Sequence, residues 1–326
     1  MAPVTFFLDG DDDTIEAWRA LQPDQQPQRL VLGEDYWIVL TFARLRDAGI
    51  DVRLSNRLPD AGVVVFYAGD KRVVWAQLRG ASDTAYQRVL LAAVRSDRHP
   101  VGFADCEIVQ NASSADGTRA LHVPHWPQPG LVPRDIARGD VLRTVLFPGT
   151  PQNLDAAFSG DATRRLLRER GIDLRSASGG VQPVWNDFHD VDALLALRPA
   201  EMGLVRNKPA WKLFNAWLAG VPAVLGPESG YRELRESPLD YLEATTPDEA
   251  LLALQRLQDE PGLYAAMVAN GLRRGRAFTT AATLARWRDL LATLDARLQA
   301  RQRAPTRAGR RWREIVARLR RAWRGR

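Results

Sequence analysis

Lysine occurs at only three positions of this chain, 71, 208 and 212, against 42 arginines. Two of the three stand four residues apart in VRNKPAWKLFNAWLAGVPAV, residues 205–224. Asn207 is a helix-capping residue type and Pro209 suits a first turn. The spacing therefore predicts a helix over 209–219, with Lys208, Lys212 and Asn215 (i, i+4, i+7) sharing one face. Every other residue of 208–219 is apolar or Pro. Burying such a helix leaves a cationic stripe that needs an anion, and two ammonium groups beside a helix N-terminus suit a diphosphate. The plainer alternative, lysines facing water, fits poorly with the flanking Trp211, Phe214 and Trp217.

Other candidates follow from position. Gly149 and Thr150 end an apolar run and precede an expected helix, where backbone N–H groups can approach phosphate. Arg198 ends VDALLAL and is expected at the carboxyl edge of a strand, as a phosphate contact or a surface ion pair. Trp185 could stack on a base or lie in the core. Asp97 and His99 follow VLLAAV, where either could serve as the base for an acceptor hydroxyl. Gly33, Glu34, Asp35 and Tyr36 form an expected acceptor loop, although Asp35 could equally cap a helix. His122 and His125 have no thiol or carboxylate at ligand spacing, so they read as structural and no metal site is expected.

The elements that must hold these residues alternate short apolar runs with helical spacing, the pattern of α/β architecture with parallel sheets. Strands are expected at 4–9, 51–55, 62–68, 89–94, 106–110 and 120–123. A second set follows at 143–147, 173–177, 191–197, 221–225 and 241–244. Helices are expected at 36–48, 151–158, 162–170, 209–219, 247–258, 263–275 and 279–297. The Pro-rich stretch 122–135 separates the two sets. The expected division is 1–138, 139–300 with the last helices, and a tail at 301–326. Two Rossmann-like domains facing a cleft are the architecture implied.

Eleven arginines and one acid, Glu314, give residues 301–326 a local charge of +10, so the +6 chain carries −4 over residues 1–300. A mildly acidic body argues against nucleic-acid binding by the body. In the tail, Trp312, Ile315, Val316, Leu319 and Trp323 share a helical face opposite arginines, as in an interfacial helix on an anionic membrane surface or a partner-binding helix, with a frayed basic extension as the plainer alternative. A single Cys106 excludes a disulfide framework. No basic leader and no spanning apolar run is present, so a cytoplasmic protein, peripheral at most, is expected. LDGDDDT (8–14) fails the D-x-D-x-T phosphatase pattern in both registers, and its acids read as helix-dipole partners. Neither G-x-G-x-x-G nor a P-loop occurs.

NAWLAGVPAV followed by GPESGYREL resembles the donor-site helix, strand and loop of GT-B-fold glycosyltransferases. RTVLFPGTPQNL (143–154) is similar to the first strand and phosphate-facing loop of their C-terminal domain. Residues 259–287 are similar to their terminal helices, and residues 31–70, with GEDYWIVLTFARLRDAGIDVRLSN, to their first N-terminal units. The resemblance implies a nucleoside-diphosphate sugar as donor substrate, bound by the second domain without an obligatory metal or other cofactor. A lipid-linked or saccharide acceptor would be held by the first. It places Glu228 and Gly230 at the donor sugar and Asn215 at the ribose. Asn207 and Asn215 stand where many retaining members carry two glutamates. Sugar transfer in envelope polysaccharide or glycolipid synthesis is the function implied, and a non-catalytic sugar-nucleotide-binding scaffold is the alternative that this departure leaves open.

Overall fold

A computed structural model describes the chain except residues 150, 177–184, 200–207, 302–304 and 325–326, and except the side chains of 83, 84, 151 and 320–324. Two compact units emerge. The first comprises residues 1–23, 30–124 and 283–326, and the second 24–29 and 125–282. Residues 301–326, expected as a separate tail, group with the first unit.

The first unit holds six parallel strands, β1 (Val4–Phe7), β2 (Val52–Ser55), β3 (Gly62–Tyr67), β4 (Val89–Val94), β5 (Cys106–Val109) and β6 (Ala120–His122). They lie in the order β2-β1-β3-β4-β5-β6. Both faces are covered, which is why β3 and β4 read as unbroken apolar runs and are buried at every position. Helix α1 (Asp12–Arg19), which the sequence reading omitted, starts where Asp11 accepts the Thr14 N–H at 2.8 Å. The acidic run thus supplies a cap and first-turn dipole partners. The expected helix 36–48 is a π-helical turn, Asp35–Val39, running into α2 (Leu40–Asp47). Helices α3 (Lys71–Gly80) and α4 (Asp83–Arg88) were not anticipated.

The second unit has five parallel strands, β7 (Thr144–Phe147), β8 (Asp173–Ser176), β9 (Ala193–Ala196), β10 (Ala223–Leu225) and β11 (Leu242–Glu243), ordered β11-β10-β9-β7-β8. Along β9 the side chains alternate between two cores. Leu194 and Ala196 join Phe214 and Trp217, while Ala193 and Leu195 join Leu254 and Met267. The helices are α5 (Asp161–Glu169), α6 (Trp211–Ala219), α7 (Ser229–Leu234), α8 (Pro247–Asp259) and α9 (Leu263–Gly275). Helix α10 (Thr280–Gln299) follows, and α11 (Arg307–Arg324) ends the helices.

Two expectations are corrected. Residues 151–158 form two 3-10 turns, Pro151–Asn153 and Ala156–Ser159, not an α-helix. Asp155 caps the second turn by accepting the Ala157 N–H at 3.0 Å, which stops the segment from propagating. Helix α6 begins at Trp211 with Ala210 as its cap, so Lys208 precedes the helix and does not share its face with Lys212 and Asn215. The proposed cap, Asn207, lies outside the described residues.

Candidate functional site

In the second unit the chain leaves β7 for β8 on one side and reaches β9 on the other. Ligands of open α/β sheets bind beyond the carboxyl ends of strands at such a switch point. Gly149 follows β7 and Arg198 follows β9 there. From α6, the Lys212 ammonium lies 4.8 Å from the centroid of the Phe147 ring. A Cβ added to Gly149 would fall 2.9 Å from the Phe147 ring, so glycine is needed there by that ring, and 3.4 Å from Lys212 Nζ, which places the ammonium in contact with the turn. Lys212 is only 8% exposed. Burial, then the nearby Arg198 charge, push its pKa down to about 7, with Glu228 opposing and Lys208 adding to the depression. Among the described residues Lys212 makes no hydrogen bond or ion pair.

Arg198 Nε donates to Glu228 Oε1 at 3.1 Å and its Nη1 reaches Asn153 Oδ1 at 3.5 Å. This is a largely buried pair, not a surface one, with side-chain exposures of 21% and 7%. Glu228 Oε2 is buried without a hydrogen-bond partner among the described residues. Burial, followed by the Glu228 charge, pushes the neighbouring Tyr231 hydroxyl upward, so it stays protonated. Gly230 is buried in the first turn of α7. The Gly149 amide is engaged with Phe147 O at 3.0 Å, and no α-helix N-terminus follows it. Thr150 lies outside the described residues. Asn215 is fully buried, and its Oδ1 accepts the Gln128 N–H at 3.0 Å while Nδ2 has no partner. Trp185 and Trp211 are tilted ring neighbours at 6.2 Å, and His125 stacks on Trp211 at 6.2 Å. His125 Nδ1 lies 2.8 Å from Trp126 O, and burial pushes its pKa to about 4, which leaves it a neutral structural group.

In the first unit the switch point lies between β1 and β3. Asp35 Oδ2 accepts the N–H groups of Val31 and Leu32 at 2.9 and 2.7 Å, so its carboxylate closes the loop that precedes α2. Tyr36 is buried in the core. Gly33 abuts the Tyr67 hydroxyl, which a Cβ there would meet at 2.7 Å. Asp97 and His99 are exposed beyond β4, one and three residues after Ser96, a non-glycine residue with φ of 49°.

Sequence reasoning missed three groups at this edge. Arg98 Nε donates to Tyr67 Oη at 3.2 Å. Asp70, after β3, has a buried Oδ2 without a hydrogen-bond partner among the described residues. Burial, then the Glu34 and Asp9 charges, push its pKa up to about 7 against an Asp9 backbone hydrogen bond and Arg98. The available signal was an acid three residues after the apolar run GVVVFY. Among the described residues no three His, Cys, Asp or Glu side chains could hold a metal.

In α11, Trp312, Ile315 and Leu319 are exposed, and the Trp323 side chain lies outside those described. Among the described residues no helix is long and apolar enough to cross a membrane.

The fold is the α/β GT-B fold, with two Rossmann-like units. The chain is similar over 91% of its length, at 14% identity, to all of sucrose-phosphate synthase from Thermosynechococcus elongatus, with a TM-score of 0.59. It is similar over 90% of its length, at 11% identity, to all of HepE from Anabaena in complex with UDP and glucose, with a TM-score of 0.51. No family model and no curated protein sequence matches the chain.

Proposed function

We propose that the chain is a glycosyltransferase that moves a sugar from a nucleoside-diphosphate sugar to an acceptor at the cytoplasmic face of a membrane, in envelope polysaccharide or glycolipid synthesis. The observation that carries the donor part is the Lys212 ammonium, nearly buried between Phe147 and Gly149 with no protein anion bound to it among the described residues. A diphosphate would complete that charge and raise the Lys212 pKa again. Arg198 and Lys208 add positive charge at the same strand edge. As the bond from the sugar's anomeric carbon to the diphosphate oxygen breaks, these cations would stabilise the charge on the leaving group. Glu228, with a buried carboxylate oxygen unengaged among the described residues, would accept from sugar hydroxyls. HepE, which shares the fold, was solved with UDP and glucose, and this supports a donor of that class.

For the acceptor, Asp97 and His99 remain candidates, joined by Asp70. A carboxyl with a pKa near 7 and a free oxygen is suited to take the proton of an acceptor hydroxyl. The membrane-face location draws on the exposed Trp312, Ile315 and Leu319 of α11. The deciding experiment is a thermal-shift panel of UDP-, GDP- and dTDP-sugars on the parent chain and Lys212→Ala, followed by transfer assays with lipid extracts. Selective stabilisation that Lys212→Ala abolishes is expected. An unchanged response in that variant rejects the donor site, and binding without turnover rejects catalysis.

A further inference from the structure

Helix α11 is mounted on the first unit by its polar side. Arg310 is fully buried and donates to Phe103 O and Asp105 Oδ2, both at 2.8 Å. Arg301 and Arg313 also reach the Asp105 carboxylate, at 3.1 and 3.6 Å. One turn after Arg310, the buried Glu314 accepts the Gly102 N–H at 3.0 Å. A Cβ on Gly102 would fall 2.5 Å from Arg313 O and 2.6 Å from Glu314 Cα, so the helix backbone rests directly on that glycine. The guanidinium groups of Arg307 and Arg310 lie over the Tyr86 ring at 4.9 and 5.3 Å.

At 3.6 residues per turn, positions 312, 315 and 319 point to the side of the helix opposite Arg310. They are the apolar ones, and they face outward: Trp312 is 65% exposed, Ile315 39% and Leu319 63%. An amphipathic helix packed for the stability of its own domain would bury these residues and leave its arginines in water. Here the apolar stripe faces outward and the fully buried arginine is Arg310. Bordering the stripe, Arg311 is exposed with no partner among the described residues, and Arg318 is exposed with only its Nε engaged, by Glu314 at 3.1 Å.

We propose that α11 is a rigidly mounted docking face for an anionic lipid bilayer. Trp312, Ile315 and Leu319 enter the headgroup–acyl boundary, while Arg311 and Arg318 meet lipid phosphates. The proposal rests on the membrane-face part of the reading above and is independent of the donor site. Charge complementarity alone would also admit a nucleic acid. However, Arg301, Arg310 and Arg313 are already engaged by Asp105, and a phosphodiester backbone has no use for an exposed Trp–Ile–Leu stripe. Ordinary interfacial helices fold as they bind and leave their domains free to swivel. This one is held through Asp105 and Gly102 beside β4 and β5, so lipid contact presents the first unit in one orientation.

The test is flotation of the full chain with phosphatidylcholine vesicles, with and without phosphatidylglycerol. Binding only in the presence of phosphatidylglycerol is expected, with at least about a tenfold loss in the double variant Trp312→Ser, Leu319→Ser. Arg311→Glu with Arg318→Glu should abolish the preference for the anionic lipid. Brominated acyl chains should quench a fluorescence component that Trp312→Phe lacks. All four positions are solvent-facing, so unchanged melting temperatures serve as the folding control. Equal flotation of parent and the Trp312, Leu319 variant overturns the proposal. So does tail-dependent retention of RNA or DNA that this variant keeps. A chain that floats but shows no response to sugar nucleotides contradicts only the donor reading, and the converse result contradicts only the lipid face.

Discussion

Asn215 Oδ1 accepts the backbone N–H of Gln128 at 3.0 Å, tying the middle of α6 to the segment that opens the second unit's main stretch. The side chain is fully buried, so the residue proposed for the ribose already has a structural task. Asn215→Ala should destabilise the protein by about 1–3 kcal/mol, because it strands a buried amide. Chemical denaturation checks this. A normal stability with selectively weakened nucleotide binding would instead support the ribose role.

Lys212 makes stability depend on pH in a defined direction. Its pKa is about 7 in the folded chain against 10.5 when unfolded. Between those values the unfolded chain holds more protons, so stability rises as pH increases from 7 to 10.5 and levels off below 7. Lys212→Met should remove that slope and raise stability at pH 7, while weakening sugar-nucleotide affinity at least about tenfold. Calorimetry in buffers of different ionisation enthalpy should show proton uptake on donor binding at pH 8, and none in the variant.

Asp70 works in the opposite sense. With a folded pKa near 7 against 3.8, it holds its proton longer in the folded chain, so its contribution to stability declines as pH rises from 3.8 to 7. Asp70→Asn should therefore be at least as stable as the parent at pH 8. If Asp70 takes the acceptor proton, kcat at pH 8 falls by about a hundredfold or more, and the acid limb of the pH profile near 7 disappears. An unchanged kcat would return the role to Asp97 or His99.

Asp192 is a buried hub that serves the second unit's architecture. It accepts from Arg134 at 3.0 and 2.9 Å, from Arg138 at 2.8 Å on each oxygen, and from the amides of Arg143 and Thr144 at 2.9 and 2.8 Å. Burial pulls its pKa upward, but Arg138, the two amides and Arg134 outweigh this and hold it below the usual carboxylate range. Its stabilisation is present above the ordinary carboxylate pKa and is lost as pH falls through the depressed value. Asp192→Ala should cost about 3–5 kcal/mol at pH 7, read by denaturant midpoint, because two arginines lose their buried partner.

Among the described residues, the strands all lie within the expected runs. The central ones, such as β3, β4 and β9, were legible because parallel strands covered on both faces are apolar along their length, while the edge strands β2 and β8 are more polar and more exposed. Lys212 drew attention for a different reason: lysine is so rare in this chain that two of them four residues apart carry information, although Lys208 does not share its helix. The edge formed by Tyr67, Asp70 and Arg98 was not legible. Its members come from the ends of β3 and β4, about thirty residues apart, and only the parallel pairing of Tyr67 with Val94 brings them together. The segment 151–158 misled because its composition tolerates a helix, while Asp155 and the cost of nucleating a short helix favour 3-10 turns.

By itself, the sequence determined the two parallel sheets, the rare-lysine cluster and the apolar–basic division of the tail helix, all of which follow from local periodicity and composition. The tertiary structure alone decided three further matters: that Lys208 stands outside α6, that Asn215 is held by Gln128, and that α11 docks through Arg310 and Glu314 with Trp312 outward. The physical reason is common to all three. Periodicity states which side chains share a face of an element. What that face meets depends on partners such as Asp105, Gly102 and Gln128, which lie far away in the chain and come near only when it folds.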